Sequence, residues 1–210
     1  MVKLYGFPPS TCTRLVALVC KEKNIPYEVI PVNLAKGEQK NPSFTAVQPF
    51  GQVPYIDDDG FILYESRAIA RYLSKKYPDQ GTSLIPTDPK AEALFEQASS
   101  IETFNFNAFV APIVAEKVFK PRRGLQPNEE RVSELLGMLQ SKMDAYDLIL
   151  SKQKYLAGDS VTLADLSHLP YGAAFCGAGF AEVFESRPNL ARWWKDISNR
   201  PAWLAVKDGA

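Results

Sequence analysis

Three short stretches of this chain carry residue types at spacings that could do chemistry. The first is "GFPPSTCTR", Gly6 to Arg14, where Ser10 stands between a strand-like run and a helical one. A hydroxyl at that junction meets free amides and the positive end of a helix dipole, so it could cap the helix or help hold an anion. Pro8-Pro9 stiffens the loop and aims the hydroxyl outward, which capping alone does not require. Cys12 is the rival, because a thiol at a helix N-terminus can ionise more readily and act as a nucleophile. Residues two apart are separated by about 200° around a helix, so if Ser10 faces a ligand, Cys12 is expected to face away. Thr11 and Thr13 are neighbouring hydroxyls that keep the assignment open. With Cys20 on the same helix, both thiols also read as small buried hydrophobes.

The second stretch is "FGQVPYIDDDG". Pro54 stands where a strand begins and removes an amide donor, which suggests that the main chain of Val53 is kept free for another partner. The third is "LYESRAIARYL", in which Glu65-Ser66 opens a helix. That pair is either an ordinary acidic first turn or the mouth of an anion site.

These groups need elements to hold them. "VKLYGF" reads as a short strand and Thr11 to Lys23 as a helix with Leu15, Leu18 and Val19 on one stripe; "YEVIPV" is strand-like, and "VPYID" and "FILY" flank the turn "DDDG". From Glu65 the apolar positions Ile69, Tyr72 and Leu73 return to helical spacing, and Tyr77-Pro78 stops the helix. The order β-α-β, loop, β-β-α is that of an α/β thioredoxin-like N-terminal domain, placed at residues 1–78. After a Pro/Gly/Thr-rich linker at 79–88, strand patterning disappears. Residues 89–210 read as an all-α C-terminal domain, with helices over Lys90 to Phe119, Asn128 to Ser151, Leu163 to Phe175 and Pro188 to Ser198. In "SVTLADL" Thr162 and Asp165 have capping-box spacing and Val161 and Leu166 that of a hydrophobic staple. His168, one turn later, reads as a packed, hydrogen-bonded histidine, and no Cys, His or carboxylate cluster supplies it with a metal partner.

Composition narrows the partners. Lys plus Arg number 24 and Asp plus Glu 24, so no bulk charge favours nucleic acid or membrane. Cys12, Cys20 and Cys176 are odd in number and lack a CxxC, which argues against a disulfide framework and for a reducing compartment. Met1 leads straight into "VKLYGF" without a basic n-region and apolar h-region, and no apolar run approaches the roughly 18 residues of a membrane span. A cytoplasmic location is expected.

The segments "KLYGFPPSTCTR", "GEQKNPSF", "PFGQVP", "LYESRAIARYL", "KYLAGDSVTLADLSHLP" and "RPNLARWWKDISNRP" occur in an order and at a spacing that resemble a glutathione transferase of the phi class, the plant and fungal type. The resemblance covers essentially the whole chain. It implies that Pro54 is cis and that Val53 pairs its amide and carbonyl with the cysteinyl part of glutathione, like an added strand. It implies that Glu65 takes the α-amino group and Ser66, with the helix amides, the α-carboxylate, while Gln52 adds an amide contact. Many phi-class sequences have a His in "EHK"; here Glu38-Gln39-Lys40 stands instead, so Gln39 and Lys40 are expected to share the glycyl carboxylate, Lys40 the larger part. Glutathione is a co-substrate, and no cofactor or metal is expected.

By the same resemblance Ser10 donates a hydrogen bond to the glutathione sulfur, with Thr11 or Cys12 as the runners-up. The second substrate is expected between the two domains, against an apolar lining drawn from Phe7, Pro9, Phe109, Ile113 and Phe119, with further aromatics of that helix, Phe104 and Phe106, divided between lining and core. Phe50 matches the aromatic key that phi-class subunits insert into their partner, which implies a homodimer. The activity implied is conjugation of glutathione to small hydrophobic electrophiles, with reduction of organic hydroperoxides as a companion. A non-catalytic carrier of apolar molecules and a Cys12-dependent thiol transferase are the alternatives.

Overall fold

A computed structural model describes residues 1–210. The chain divides into two compact units, Met1–Ile85 with Pro201–Ala210, and Pro86–Arg200.

In the first unit, β1 (Val2–Gly6) is followed by α1 (Thr11–Glu22), β2 (Tyr27–Pro31), α2 (Pro42–Thr45), β3 (Tyr55–Asp58), β4 (Phe61–Tyr64) and α3 (Ser66–Lys76). The sheet order is β2-β1-β3-β4, with β1 parallel to β2 and antiparallel to β3. The thioredoxin-like reading of this half agrees with that topology. β1 buries Val2 and Leu4 and alternates outward at Lys3, as a half-covered strand should. Leu15, Leu18 and Val19 of α1 and Ile69 and Leu73 of α3 are all 3% exposed or less and close the core from one side. On the other side Val32, Phe44 and Tyr55 form a second cluster against which Val53 packs. The "DDDG" turn is a two-residue hairpin: Asp59 and Gly60 both have positive φ (54° and 90°), and Asp57 Oδ1 accepts the Gly60 N–H at 2.7 Å.

The unit boundary differs from the sequence expectation at both ends. Residues 79–85 belong to the first unit because they are fastened to the end of α1. The buried Lys23 ammonium donates to the Pro78 and Thr82 carbonyls (3.2 and 3.0 Å), and Thr82 N–H donates to Glu22 O at 2.8 Å. Gly81 makes that approach possible: at φ +56° a Cβ there would stand 2.1 Å from Glu22 O. The last ten residues also join the first unit instead of the helical one. Trp203 and Val206 are buried, the Arg14 guanidinium stacks over Trp203 and donates to Lys207 O, and Ala210 N–H donates to Pro8 O at 3.1 Å.

The second unit contains helices only. α4 (Pro89–Ile101), a π-helical segment (Glu102–Asn107), α5 (Ala108–Val114) and a second π segment (Ala115–Phe119) make one continuous helical stretch, and α6 (Glu129–Leu150) is capped by Asn128. The helix expected over Leu163 to Phe175 is two: α7 (Leu163–Leu166) and α8 (Leu169–Phe175). Pro170 explains the break, since it has no N–H to continue the ladder from α7 and suits the first turn of a new helix. α9 (Glu182–Glu185), α10 (Pro188–Ser198) and, in the first unit, α11 (Pro201–Leu204) complete the chain.

The capping segment organises the helical core. Asp165 is fully buried and accepts from Thr162 N–H (2.8 Å), Thr162 Oγ1–H (3.0 Å), Leu156 N–H (2.9 Å) and Trp193 Nε1–H (2.9 Å), so both carboxylate oxygens are satisfied. His168 is equally buried. Its Nδ1 donates to Ala164 O at 2.9 Å, which leaves Nε2 to accept from Tyr146 OH at 2.9 Å. Burial lowers its pKa, so the ring is neutral and structural, in line with its sequence reading.

Candidate functional site

All three stretches singled out in the sequence lie in the first unit. Ser10 is the N-cap of α1, with extended backbone (φ −65°, ψ 134°). Its Oγ accepts from Thr13 N–H at 3.4 Å, a long bond, and the hydroxyl proton is left to donate elsewhere. Thr11 is buried. Thr13 is fully buried and its Oγ1 has no partner; it packs on Gly6, where a Cβ would come within 2.5 Å of the Thr13 methyl. Neither threonine is placed like Ser10, at the open mouth of the helix.

A cleft is lined by Cys12, Gln48, Gln52, Val53, Pro54, Glu65 and Ser66. Its back wall is the loop before β3. The Val53-Pro54 bond is cis, Pro54 is buried, and neither the N–H nor the C=O of Val53 is used by the protein. A chain that offers both groups from one residue can pair with an extended peptide as a strand would. Facing it is the start of α3. Glu65 has φ 72° and gives the helix no side-chain cap, and the Ser66 hydroxyl, 6% exposed, makes no hydrogen bond in the protein. An uncapped helix N-terminus with a spare hydroxyl is fitted to a carboxylate.

One cleft feature was not legible in the sequence. Gln48 is 1% exposed, accepts the Gln52 N–H on its Oε1 (3.1 Å) and offers its NH₂ to the cleft with no protein partner. Nothing in its local sequence marks it, because its burial follows from how the loop after α2 folds back. Cys12, the rival named from the sequence, lines the cleft, whereas Ser10 is not among its lining residues.

Lys40 and Gln39 sit beside this loop. Lys40 Nζ donates to Phe50 O at 3.0 Å, while the buried Gln39 Oε1 has no partner. Gly51 (φ +60°) allows the approach, since a Cβ there would lie 2.8 Å from both Lys40 Nζ and Gln39 O. One hydrogen of the ammonium is thus committed and two remain for an anion. Phe50 is 63% exposed, its ring 6.3 Å from that of Tyr64.

The apolar candidates separate by burial. Phe7, Phe109 and Phe119 are half-buried, and Pro9 is exposed. Ile113 is a correction: at 0% exposure it belongs to the core of the helical unit and cannot line a cavity. Phe106 is likewise core, and Phe104 is 69% exposed.

Comparisons with known proteins bear on both units. The family model of the glutathione S-transferase N-terminal domain matches residues 4–81, and that of the C-terminal domain residues 102–201. The chain is 48% identical over 197 residues to glutathione S-transferase PM239X14 of Arabidopsis thaliana, covering 92% of this chain and 89% of that one. The chain belongs to the glutathione transferase family, in its phi class. Among solved structures, glutathione transferase F7 from Populus trichocarpa matches with a TM-score of 0.95 at 40% identity, covering 98% of this transferase and 97% of that one. Glutathione S-transferase I from mais, in complex with an atrazine glutathione conjugate, matches with a TM-score of 0.90 at 30% identity, covering 98% and 96%. The N-terminal-domain match falls within the first unit, and the C-terminal-domain match lies within the second but for its last residue. No helix is long and apolar enough to cross a membrane.

Proposed function

We propose that this transferase binds glutathione in the cleft of its first unit and adds the thiolate to small hydrophobic electrophiles. One observation carries the reading: a free backbone donor–acceptor pair at Val53 shares the cleft with an uncapped helix start whose Ser66 hydroxyl has no protein partner. A peptide with a carboxylate at one end satisfies both. Glutathione would lie with its cysteinyl part on Val53, its γ-glutamyl α-carboxylate on Ser66 and the α3 amides, and its α-amino group on Glu65. Gln52 and Gln48 supply amides along the cleft, and Lys40, with Gln39, meets the glycyl carboxylate.

The chemical step rests on the sulfur. A thiol with pKa near 8.5 is only a few per cent ionised at pH 7, and each unit of lowering corresponds to about 1.4 kcal/mol in favour of the thiolate. Ser10 donates its hydroxyl proton as a hydrogen bond to the sulfur, with the α1 dipole behind it, and the glutathione sulfur is the nucleophile. Phe7, Pro9, Phe109 and Phe119 are our candidates for contact with the apolar electrophile. The atrazine conjugate held by the mais relative supports that substrate class. Reduction of organic hydroperoxides, a cytoplasmic location and a homodimer built on the exposed Phe50 complete the proposal.

The test is a conjugation assay with glutathione and a chromogenic aryl halide. Ser10→Ala should lower the rate about ten-fold or more, as loss of one positioned donor does. An unchanged rate would remove Ser10 from the mechanism.

A further inference from the structure

Cys12 is the one thiol of the three that opens onto the cleft. Cys20 and Cys176 are pushed up to about 12 by burial, which keeps them protonated and unreactive. Cys12 is half-buried and shares the cleft with Gln48, Val53 and Ser66. Two polar groups there point independently to a ligand: the Gln48 NH₂ and the Ser66 hydroxyl lie on side chains 1% and 6% exposed, and neither has a partner in the protein. Whatever satisfies them lies in the cleft that Cys12 also lines.

We infer that Cys12 is a site of mixed-disulfide formation with glutathione, which blocks the cleft when glutathione disulfide accumulates. The inference rests on glutathione occupying this cleft. One half of the disulfide binds as the reduced tripeptide does, with its γ-glutamyl carboxylate at Ser66. Cys12 gives its proton to solvent, and its thiolate attacks the sulfur of the bound half. A Cys12 Sγ–S bond forms, the S–S bond of glutathione disulfide breaks, and the other half leaves as a thiolate that takes up a proton. The oxidant is glutathione disulfide itself, and excess reduced glutathione reverses the exchange. The tethered tripeptide then fills the site that the substrate needs, so conjugation falls with the fraction modified.

The experiment uses the whole chain. Its conjugation rate is measured first, without oxidant, which tests occupancy of the cleft by glutathione separately. The protein is then incubated with glutathione disulfide, and intact mass, peptide mapping and conjugation rate are followed together. One glutathionyl group on Cys12 is expected, with activity lost in step and both changes reversed by dithiothreitol. Hydroxyethyl disulfide, which cannot use the cleft, should modify Cys12 at least about ten-fold more slowly, since only a bound disulfide gains from proximity. Cys12→Ser should gain no group, and Cys176→Ser should be modified as the parent is. Conjugation without an adduct, an adduct on Cys176, or equal rates with the two disulfides would each overturn the inference.

Discussion

Gly6 is the position where the structure makes its sharpest demand on a single residue. It ends β1, and a Cβ there would lie 2.5 Å from the Thr13 methyl, 2.7 Å from Thr13 Oγ1 and 3.2 Å from Thr13 Cβ. Neither partner yields readily: β1 is held between β2 and β3, and Thr13 is fully buried in the first turn of α1. Overpacking of this kind costs about 1–3 kcal/mol, and the lost chain entropy of Gly→Ala returns only about 0.4–1 kcal/mol. Gly6→Ala should therefore destabilise the first unit by a net ~1–2 kcal/mol. Because the strain is delivered to the turn that carries Ser10, KM for glutathione should rise as well. The relief test is Thr13→Ala. Its unpartnered buried hydroxyl costs about 1–3 kcal/mol and its methyl contributes about 0.8 kcal/mol, so alone the change should be neutral or slightly stabilising. In the double variant the contacts at 2.5 and 2.7 Å vanish and most of the loss should return. Urea denaturation followed by circular dichroism measures all four species. A wild-type midpoint for Gly6→Ala, or a loss undiminished in the Thr13→Ala background, would refute the reasoning.

Further outcomes follow from single contacts. Ser66→Ala removes a hydroxyl the protein does not use, so initial-rate kinetics should show KM for glutathione raised roughly ten-fold, with stability within about 0.5 kcal/mol of the parent. Ile113→Ala empties a core position and should cost about 2–5 kcal/mol in chemical denaturation, while leaving KM for the electrophile alone; Phe109→Ala should show the reverse pattern. Asp147 caps α10 from outside, accepting Asn189 N–H (2.8 Å) and Leu190 N–H (2.9 Å). Burial pushes its carboxyl up, but these bonds outweigh it and hold the pKa below the ordinary value. A depressed acid stabilises the fold above its unfolded pKa of about 3.9, and the contribution is lost as pH falls through the lower folded value. Thermal melts should thus show Asp147→Asn less stable than the parent at neutral pH, with the gap closing below about pH 4.

How much could be read beforehand depended on the range of the contact involved. The short strands, the Asp-Gly hairpin, the Thr162–Asp165 cap and the break at Tyr77-Pro78 are local, and the structure keeps them. The lining of the long helical stretch was not legible, because each π segment adds to the turn and resets the phase, so a 3.6-residue period cannot carry from Phe104 to Phe119. Pro201–Ala210 follow the helical half in sequence, yet the contact of Trp203 with Arg14, far apart in the chain, goes with their place in the first unit. At the cleft, Val53-Pro54 and Glu65-Ser66 announced themselves by residue type. Cys12 stood out by type as well, but whether it or Ser10 lines the cleft depends on the backbone of one N-cap residue.

The central claim is that the first unit binds glutathione as a thiolate stabilised by Ser10. Its most direct test is a pH titration of the thiolate ultraviolet absorbance of the protein–glutathione complex, in the parent and in Ser10→Ala. The account predicts a thiol titrating below its free value near 8.5 in the parent, and about one to two units higher in the variant, each unit being about 1.4 kcal/mol. A complex whose thiol titrates at the free value, or identical curves for the two proteins, would contradict it.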